Sequence, residues 1–206
     1  MSSHELPSPF PMAVELGAII LGGGRSSRLG GRDKAQLARD GLTLLHSTVG
    51  AARAVGAGGI VVVGPPQAID GVVFVREEPP FAGPAAATAA GVAALDPTST
   101  HTLVIGCDMP AVLGAVRALV AAAVAHPESS LIGHDDAGRP QPLVSLLRTA
   151  ELRNAIDELG GVSGMVGMPM RSIIAMVRPL PVPLPPGSCD DVDTPADAAR
   201  LGYPLD

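Results

Sequence analysis

A glycine-rich loop carries the side chains best suited to chemistry in this sequence. Residues 21–34 read LGGGRSSRLGGRDK and contain five glycines, four of the chain's fourteen basic residues and one acid. Glycines let the backbone turn tightly and bring its amides close to a ligand, and arginine and lysine bind phosphate oxygens. Because the whole chain has a net charge of −6, this local concentration of positive charge predicts a polyphosphate site.

The spacing within the loop excludes two familiar phosphate-binding motifs. A Walker A loop requires Gly-Lys-Ser/Thr, but two residues separate Gly31 from Lys34. A dinucleotide fingerprint beginning at Gly22 would require glycine where Ser27 stands. The alternative is a surface loop with solvated basic residues. We disfavour it because the loop follows an apolar run, and open α/β sheets bind ligands at the carboxyl ends of their strands.

Three aspartates are candidates for binding a metal ion. Asp108 follows an apolar run in HTLVIGCDMP and precedes a predicted helix. A carboxylate there can hold Mg²⁺, which proteins bind through one or two carboxylates plus phosphate oxygens; the alternative is a helix cap. Asp191 and Asp193, in DVDTP, each offer a second metal ligand or a contact to an acceptor. We interpret Cys107 as a small buried residue, because magnesium avoids thiolates.

These residues need a sheet to position them, and the sequence predicts a parallel one. Continuous apolar runs, typical of strands buried on both faces, occur at 17–21, 59–63 and 101–105. Ala-rich stretches with helical spacing lie at 42–56, 84–95 and 111–126. Strands that alternate with helices predict right-handed crossovers and a sheet covered on both faces.

The C-terminal third has a different pattern. It predicts a strand at 143–147 and a helix at 149–159, followed by an apolar run at 172–177. Five prolines in 178–187 restrict that segment to an edge strand or a polyproline connector. Thr194 is the predicted N-cap of a last helix that begins at Pro195. We expect a flexible tail over 1–15 and one domain over 16–206.

The composition excludes several classes of function. The acidic charge and the four aromatic residues (three Phe, one Tyr) argue against binding to nucleic acid or to an anionic membrane. No apolar run reaches the eighteen or so residues of a membrane span, and residues 1–15 lack the basic region of a signal peptide. Two cysteines do not make a disulfide framework. We therefore expect a cytoplasmic protein with small-molecule partners.

The loop resembles that of the molybdenum cofactor guanylyltransferases and their nucleotidyltransferase relatives, whose pattern is close to LAGGxSxRMGxDK. The resemblance extends more loosely over residues 16–201 through EEPPFAGP, CDMP and DVDTP. It implies a Rossmann-like three-layer α/β/α sandwich with a mostly parallel central sheet, the GT-A-like nucleotidyltransferase fold. It also implies Mg²⁺-dependent transfer of GMP from GTP to the phosphate of molybdopterin, with release of pyrophosphate.

The resemblance also implies roles for particular residues. Arg28, Lys34 and Asp108 would be catalytic, with the two basic side chains holding phosphates. Asp108 and Asp193 would bind the metal. The other nucleotide contacts would come from Leu21, Gly22, Gly23, Gly24, Glu77, Glu78, Gly83 and Pro84. Of these, Glu77 or Glu78 would accept hydrogen bonds from guanine. Arg139 would contact a phosphate on the acceptor side.

Two departures from the family pattern keep other activities open. Guanylyltransferases often carry NVNTP where this chain has DVDTP, and Gly64 stands where relatives commonly have an asparagine near guanine. The alternatives are a cytidylyltransferase, a guanylyltransferase acting on a phospholactate or a sugar phosphate, and a nucleotide-binding relative without catalysis. The intact set of Arg28, Lys34 and Asp108 argues against the last of these.

Overall fold

The computed structural model describes residues 15–24 and 29–205. Within these residues the strands are β1 (Leu16–Leu21), β2 (Ala38–Arg39), β3 (Leu42–Thr43), β4 (Gly59–Val63), β5 (Val72–Val75), β6 (His101–Gly106), β7 (Leu131–His134), β8 (Pro140–Arg148) and β9 (Leu180–Pro183). The helices are α1 (Leu44–Ala54), α2 (Pro84–Ala94), α3 (Val112–Ala125), α4 (Thr149–Glu158), α5 (Gly161–Gly164), α6 (Arg171–Val177) and α7 (Pro195–Leu201).

Seven of these strands form one sheet in the order β5-β4-β1-β6-β8-β7-β9. Strand β8 runs antiparallel to both of its neighbours, while all the other pairings in the sheet are parallel. The carboxyl ends of β1, β4 and β6 therefore meet at one edge, with Leu21 paired with Val63 on one side and Gly106 on the other. This edge is where ligands bind in open α/β sheets.

Helices cover both faces of the sheet, as the three-layer prediction requires. On β1, Ile20 packs in one core with residues of α1 and α3, whereas Ile19 packs in another with residues of α2, α4 and α6. Successive residues of a strand point to opposite faces, so a continuous apolar run is needed to supply both cores. Among the described residues, no helix combines the length and apolar character needed to cross a membrane.

Several predicted elements have shifted bounds or new partners. The predicted helix at 42–56 begins only at Leu44, because 42–43 belongs to a short hairpin with β2. The predicted strand at 143–147 lies within β8, and the apolar run at 172–177 is helical. The proline-rich segment forms the edge strand β9, as expected of a segment with few amide donors. The predicted tail at 1–15 lies almost entirely outside the described residues.

Candidate active site

The first half of the glycine loop packs tightly against the end of β4. The amide of Gly22 donates to the carbonyl of Val63 at 3.0 Å. A Cβ placed on Gly64 would lie 2.9 Å from the carbonyl carbon of Gly22, closer than side-chain atoms normally approach a backbone. Because Gly64 has no side chain, the backbone of Gly22 can pack this closely against the end of β4. Arg28 and the neighbouring Arg25 lie outside the described residues, so the role of Arg28 stays a prediction.

The second half of the loop is anchored to the C-terminal helix and directs a lysine inward. Leu29 is buried in a small core with Val192 and Tyr203. Asp33 then caps a short 3₁₀ turn by accepting from the amide of Ala35. Lys34 begins that turn, and its side chain lies among the acidic groups at the end of β6.

Three carboxylates converge at this point. One oxygen each from Asp108, Asp191 and Asp193 lie within 4.8 Å of one another. Asp108 follows β6, and its carbonyl accepts from the amide of Val192 at 2.9 Å, while the Val192 side chain is fully buried. Because alternate residues of an extended segment share a face, this anchor directs both flanking aspartates toward Asp108. The structure therefore adds Asp191 to the predicted pair.

Lys34 provides the positive charge that these carboxylates require. Its Nζ lies 3.5 Å from Oδ2 of Asp108 and forms a closer ion pair with Asp193. Burial by itself lowers the pKa of Lys34, but the hydrogen bond to Asp193 and the charges of both partners outweigh it, so the pKa is raised. Burial, followed by the charges of Asp193 and Asp108, raises the pKa of Asp191. The charged form of Lys34 is thus stabilised by opposite charges, whereas burial and the neighbouring negative charges disfavour the charged form of Asp191.

A cleft of about 280 Å³ opens beside the carboxylates. Its lining includes seven residues predicted to touch a nucleotide, namely Leu21, Gly23, Gly24, Glu77, Gly83, Pro84 and Asp108. Pro84 is the first residue of α2, so this helix begins at the cleft. Gly22 itself does not line the cleft but supports its floor through the bond to β4.

The two candidate base-binding glutamates lie in different places. Glu77 lines the cleft, is 9% exposed, and uses Oε1 to accept from the amide of Phe81 at 2.8 Å. Glu78 lines a separate open depression with Arg76 and Val162. Of the pair, only Glu77 lines the cleft.

Phe81 is a cleft residue that sequence reasoning did not identify. Its ring lies 5.0 Å from the guanidinium of Arg76 in a cation–π arrangement. The side chain is 46% exposed and lines the cleft, and the backbone has a positive φ of 62°. Its position in EEPPFAGP and the scarcity of aromatic residues in the chain were the available signals.

Arg139, predicted to contact an acceptor phosphate, is paired within its own loop. Its Nε lies 2.9 Å from Oδ2 of Asp135, and its side chain is 75% exposed. Cys107 is buried as expected, and burial strongly raises the pKa of its thiol.

Comparisons with known proteins place this chain in a family. A sequence model of the MobA-like NTP transferase domain matches residues 18–179. A comparison with curated proteins found no match. Among solved structures, Rv0371c of Mycobacterium tuberculosis H37Rv, in complex with manganese, is 22% identical with a TM-score of 0.61, covering 92% of this chain and 98% of that one.

Two further solved structures have the same fold. The molybdopterin-guanine dinucleotide biosynthesis protein A of Archaeoglobus fulgidus is 16% identical with a TM-score of 0.62, covering 89% of this chain and 95% of that one. The 2-C-methyl-D-erythritol 4-phosphate cytidylyltransferase of Thermus thermophilus is 21% identical with a TM-score of 0.64, covering 91% and 97%. Because the family match spans most of the chain, this protein belongs to the MobA-like NTP transferases, a family of nucleotidyltransferases.

Proposed function

We propose that this protein transfers GMP from GTP to the phosphate of molybdopterin in a Mg²⁺-dependent reaction that releases pyrophosphate. The observation that carries the proposal is the cluster of Asp108, Asp191 and Asp193, two of which pair with Lys34, beside a cleft lined by the start of the glycine loop. An enzyme that joins two phosphate groups needs positive charge where both phosphates lie. The lysine, the loop amides and a metal held by the carboxylates would supply it.

The carboxylate cluster fits a hard divalent cation. Its three donors are all oxygens, which Mg²⁺ prefers, and they are close enough together to share one ion. When bound, Mg²⁺ supplies positive charge that neutralises oxygens of the reacting phosphates. The manganese complex of Rv0371c is consistent with a divalent ion in a protein of this fold.

The proposed chemistry is a direct displacement. An oxygen of the acceptor phosphate attacks the α-phosphorus of GTP, the new phosphorus–oxygen bond forms, and the bond to the β-phosphate bridging oxygen breaks. The electron pair of that bond leaves with pyrophosphate. The attacking phosphate is already ionised near neutral pH, so no side chain has to remove a proton. The work of Lys34, Arg28 and the loop amides is to orient the phosphates and to stabilise the charge on pyrophosphate.

Selection of guanine is assigned to Glu77. Its Oε1 is held by the Phe81 amide, which orients the carboxylate within the cleft. A carboxylate can accept from both the imino and the amino hydrogens of guanine. Cytosine lacks this pair of adjacent donors, so it would leave the buried carboxylate incompletely satisfied, and such a mismatch discriminates strongly between ligands.

The second candidate function is transfer of CMP from CTP. Two features favour it: Gly64 stands where the guanylyltransferases commonly have asparagine, and DVDTP replaces their NVNTP.

The test is pyrophosphate release with Mg²⁺, each of the four NTPs, and acceptors that include molybdopterin and a phosphorylated sugar. We expect GTP with molybdopterin to be the preferred pair. Glu77→Gln should lower kcat/KM for GTP by roughly tenfold or more. Glu78→Gln is the matched control and should leave it within about twofold, given its place outside the cleft. A preference for CTP would instead identify the protein as a cytidylyltransferase.

A further inference from the structure

The two edges of the sheet differ in how they are protected. Strands β5 and β9 are its outermost strands, and within the described part of the chain no further strand pairs with either. Two of the four residues of β9 are prolines, which lack the amide hydrogen that a neighbouring strand would need. Strand β5 reads VVFV and contains neither a charge nor a proline. An edge of this composition can pair with another strand.

The hydrogen bonds to β4 show which backbone groups of β5 are left for such a strand. The Val75 carbonyl accepts from the amide of Gly64 at 2.9 Å, so Val75 directs its backbone polar groups toward β4. Successive strand residues direct these groups to alternate sides, so Val73 also faces β4. The amides and carbonyls of Val72 and Phe74 therefore face outward, away from the sheet.

Val73 is the exposed side chain at the middle of this edge. It is 52% exposed, whereas its two neighbours in the strand pack against the core that contains α1 and α3 residues. Because successive side chains point to opposite faces, Val73 lies on the other face, together with Val75. That face continues into an open depression lined by Val75, by Ala94 of α2 and by Val162 of α5. The apolar surface thus extends from the edge strand to the helices.

We propose that β5 pairs antiparallel with β5 of a second copy of this chain, around a two-fold axis at Val73. This register joins Val72 of each copy to Phe74 of the other, so the outward-facing backbone groups of both residues are paired. An axis at Val72 or Phe74 leaves one of these residues without a partner inside the strand. An axis between two residues sets an outward-facing residue against an inward-facing one.

The same register brings the exposed valines together. Val73 meets Val73 of the second copy at a non-hydrogen-bonded position, where Cα atoms lie about 4.5 Å apart and side chains are closest. The two-fold axis is perpendicular to the extended sheet, so the depressions of both copies lie on the same side of it. Because Ala90, Ala93 and Ala94 of α2 line the depression with small side chains, the two helices can approach each other there. This apolar contact enlarges an interface that a four-residue strand begins.

The charges at the two ends of β5 identify the partner as a second copy. Asp70 precedes the strand and Arg76 follows it, at equal distances from Val73 along the sequence. Antiparallel pairing at Val73 therefore brings Asp70 of each copy close to Arg76 of the other. Among the described residues neither side chain forms an ion pair, and the Arg76 guanidinium lies over the Phe81 ring, which leaves its N–H groups available. A two-fold contact uses one surface twice, so both charge pairs form together.

Sedimentation velocity on the full chain, over a series of concentrations, tests the pairing. We expect a dimer that Val73→Glu weakens by about tenfold or more, because like charges would then lie directly opposite each other. Val124→Glu on α3 is the matched control, since Val124 is 51% exposed, and it should leave dimerisation unchanged. A wild-type chain that stays monomeric at about 100 μM overturns the proposal. A dimer that persists unchanged in Val73→Glu also overturns it.

A charge exchange tests the register. Arg76→Glu alone should weaken the dimer by about tenfold, because it sets a second carboxylate against Asp70 at each end of the paired strands. The double variant Asp70→Arg/Arg76→Glu restores opposite charges and should dimerise within about threefold of wild type. Circular dichroism would verify that each variant is folded. A folded double variant that dimerises no better than Arg76→Glu refutes the register at Val73.

Amide hydrogen exchange of the wild-type chain tests the same contact without a substitution. The amides of Val72 and Phe74 should exchange about tenfold more slowly at concentrations that favour the dimer than at concentrations that favour the monomer. The amide of Val62, in the interior strand β4, is the control and should exchange equally at both. Exchange at Val72 and Phe74 that does not change with dimerisation would place the interface elsewhere and overturn the proposal.

Discussion

Replacing Lys34 with methionine tests two roles of this side chain, namely balancing the charge of the carboxylate cluster and binding the departing pyrophosphate. Lys34 is the only lysine in the chain, and its ammonium lies between Asp108 and Asp193 with Asp191 nearby. Lys34→Met keeps the aliphatic stem and removes the charge. The three carboxylates, whose oxygens lie within 4.8 Å of one another, would then repel each other without the charge of Lys34.

The size of the effect follows from the distances and the exposure. Unit charges separated by 3.5 Å, as for Lys34 and Asp108, attract by about 5 kcal/mol at an effective dielectric constant near 20. The side chains of Lys34, Asp108 and Asp193 are 20%, 28% and 35% exposed, so hydration offsets much of this attraction. Exposed ion pairs contribute up to about 1 kcal/mol, and breaking a buried pair costs about 3–5 kcal/mol. We therefore expect Lys34→Met to lower the metal-free unfolding free energy by about 2 kcal/mol.

A divalent ion should restore the unfolding free energy lost in Lys34→Met, since its positive charge offsets the charge of the same carboxylates. Urea unfolding in a chelator and in saturating Mg²⁺ would measure it, and the gain from Mg²⁺ should be larger for Lys34→Met than for wild type. Transfer should still fall roughly a hundredfold with Mg²⁺ present, because the variant lacks a donor to pyrophosphate. Arg171→Met, which removes an exposed charge from α6, is the control and should alter neither quantity. Equal unfolding free energies of wild type and Lys34→Met in chelator would refute the reasoning.

Three further predictions address the metal, the loop and pH. Asp108→Asn should weaken Mg²⁺ binding by roughly tenfold or more in a calorimetric titration, since the amide loses the charge that binds a hard cation; an unchanged titration would leave Asp108 a purely structural residue. Gly64→Ala should lower the unfolding free energy by about 1–3 kcal/mol, because its Cβ would collide with Gly22. The control is Gly50→Ala, which places a Cβ in open space on α1 and should be neutral or stabilising. Equal effects of the two substitutions in urea unfolding would contradict the close packing at Gly64. Burial lowers the pKa of His101 below its ordinary 6.5. As pH falls, the unfolded chain therefore binds the proton before the folded protein does, and the unfolding free energy should decline below about pH 6.5. Urea unfolding across this range should show a weaker decline for His101→Gln than for wild type.

Local features of the sequence were sufficient to predict the framework and the start of the glycine loop at the end of β1. Strands β1 and β4 and residues 103–105 of β6 are apolar runs, and the sequence signals them because strands buried on both faces are mostly apolar. Thr194 is the N-cap of the helix that begins at Pro195, as predicted, and it forms a capping box with Asp197; capping is predictable because it depends on neighbours within one turn. Shorter strands such as β5 and β7, with four residues each, were not predicted, because their pairing partners rather than their composition determine them.

The detailed composition of the site depended on contacts between distant parts of the chain. Lys34 and Asp193 are 159 positions apart, and no local pattern links them. Asp191 joins Asp108 and Asp193 in the carboxylate cluster because the Val192 amide is held by the Asp108 carbonyl, a contact between two segments that only folding brings together. Glu77 and Glu78 are adjacent residues of the same type, yet Glu77 lines the cleft and Glu78 lines a separate depression. The sequence by itself thus determined the residue types and the strand ends that carry them, whereas the tertiary structure decided which side chains meet, since that choice depends on long-range packing.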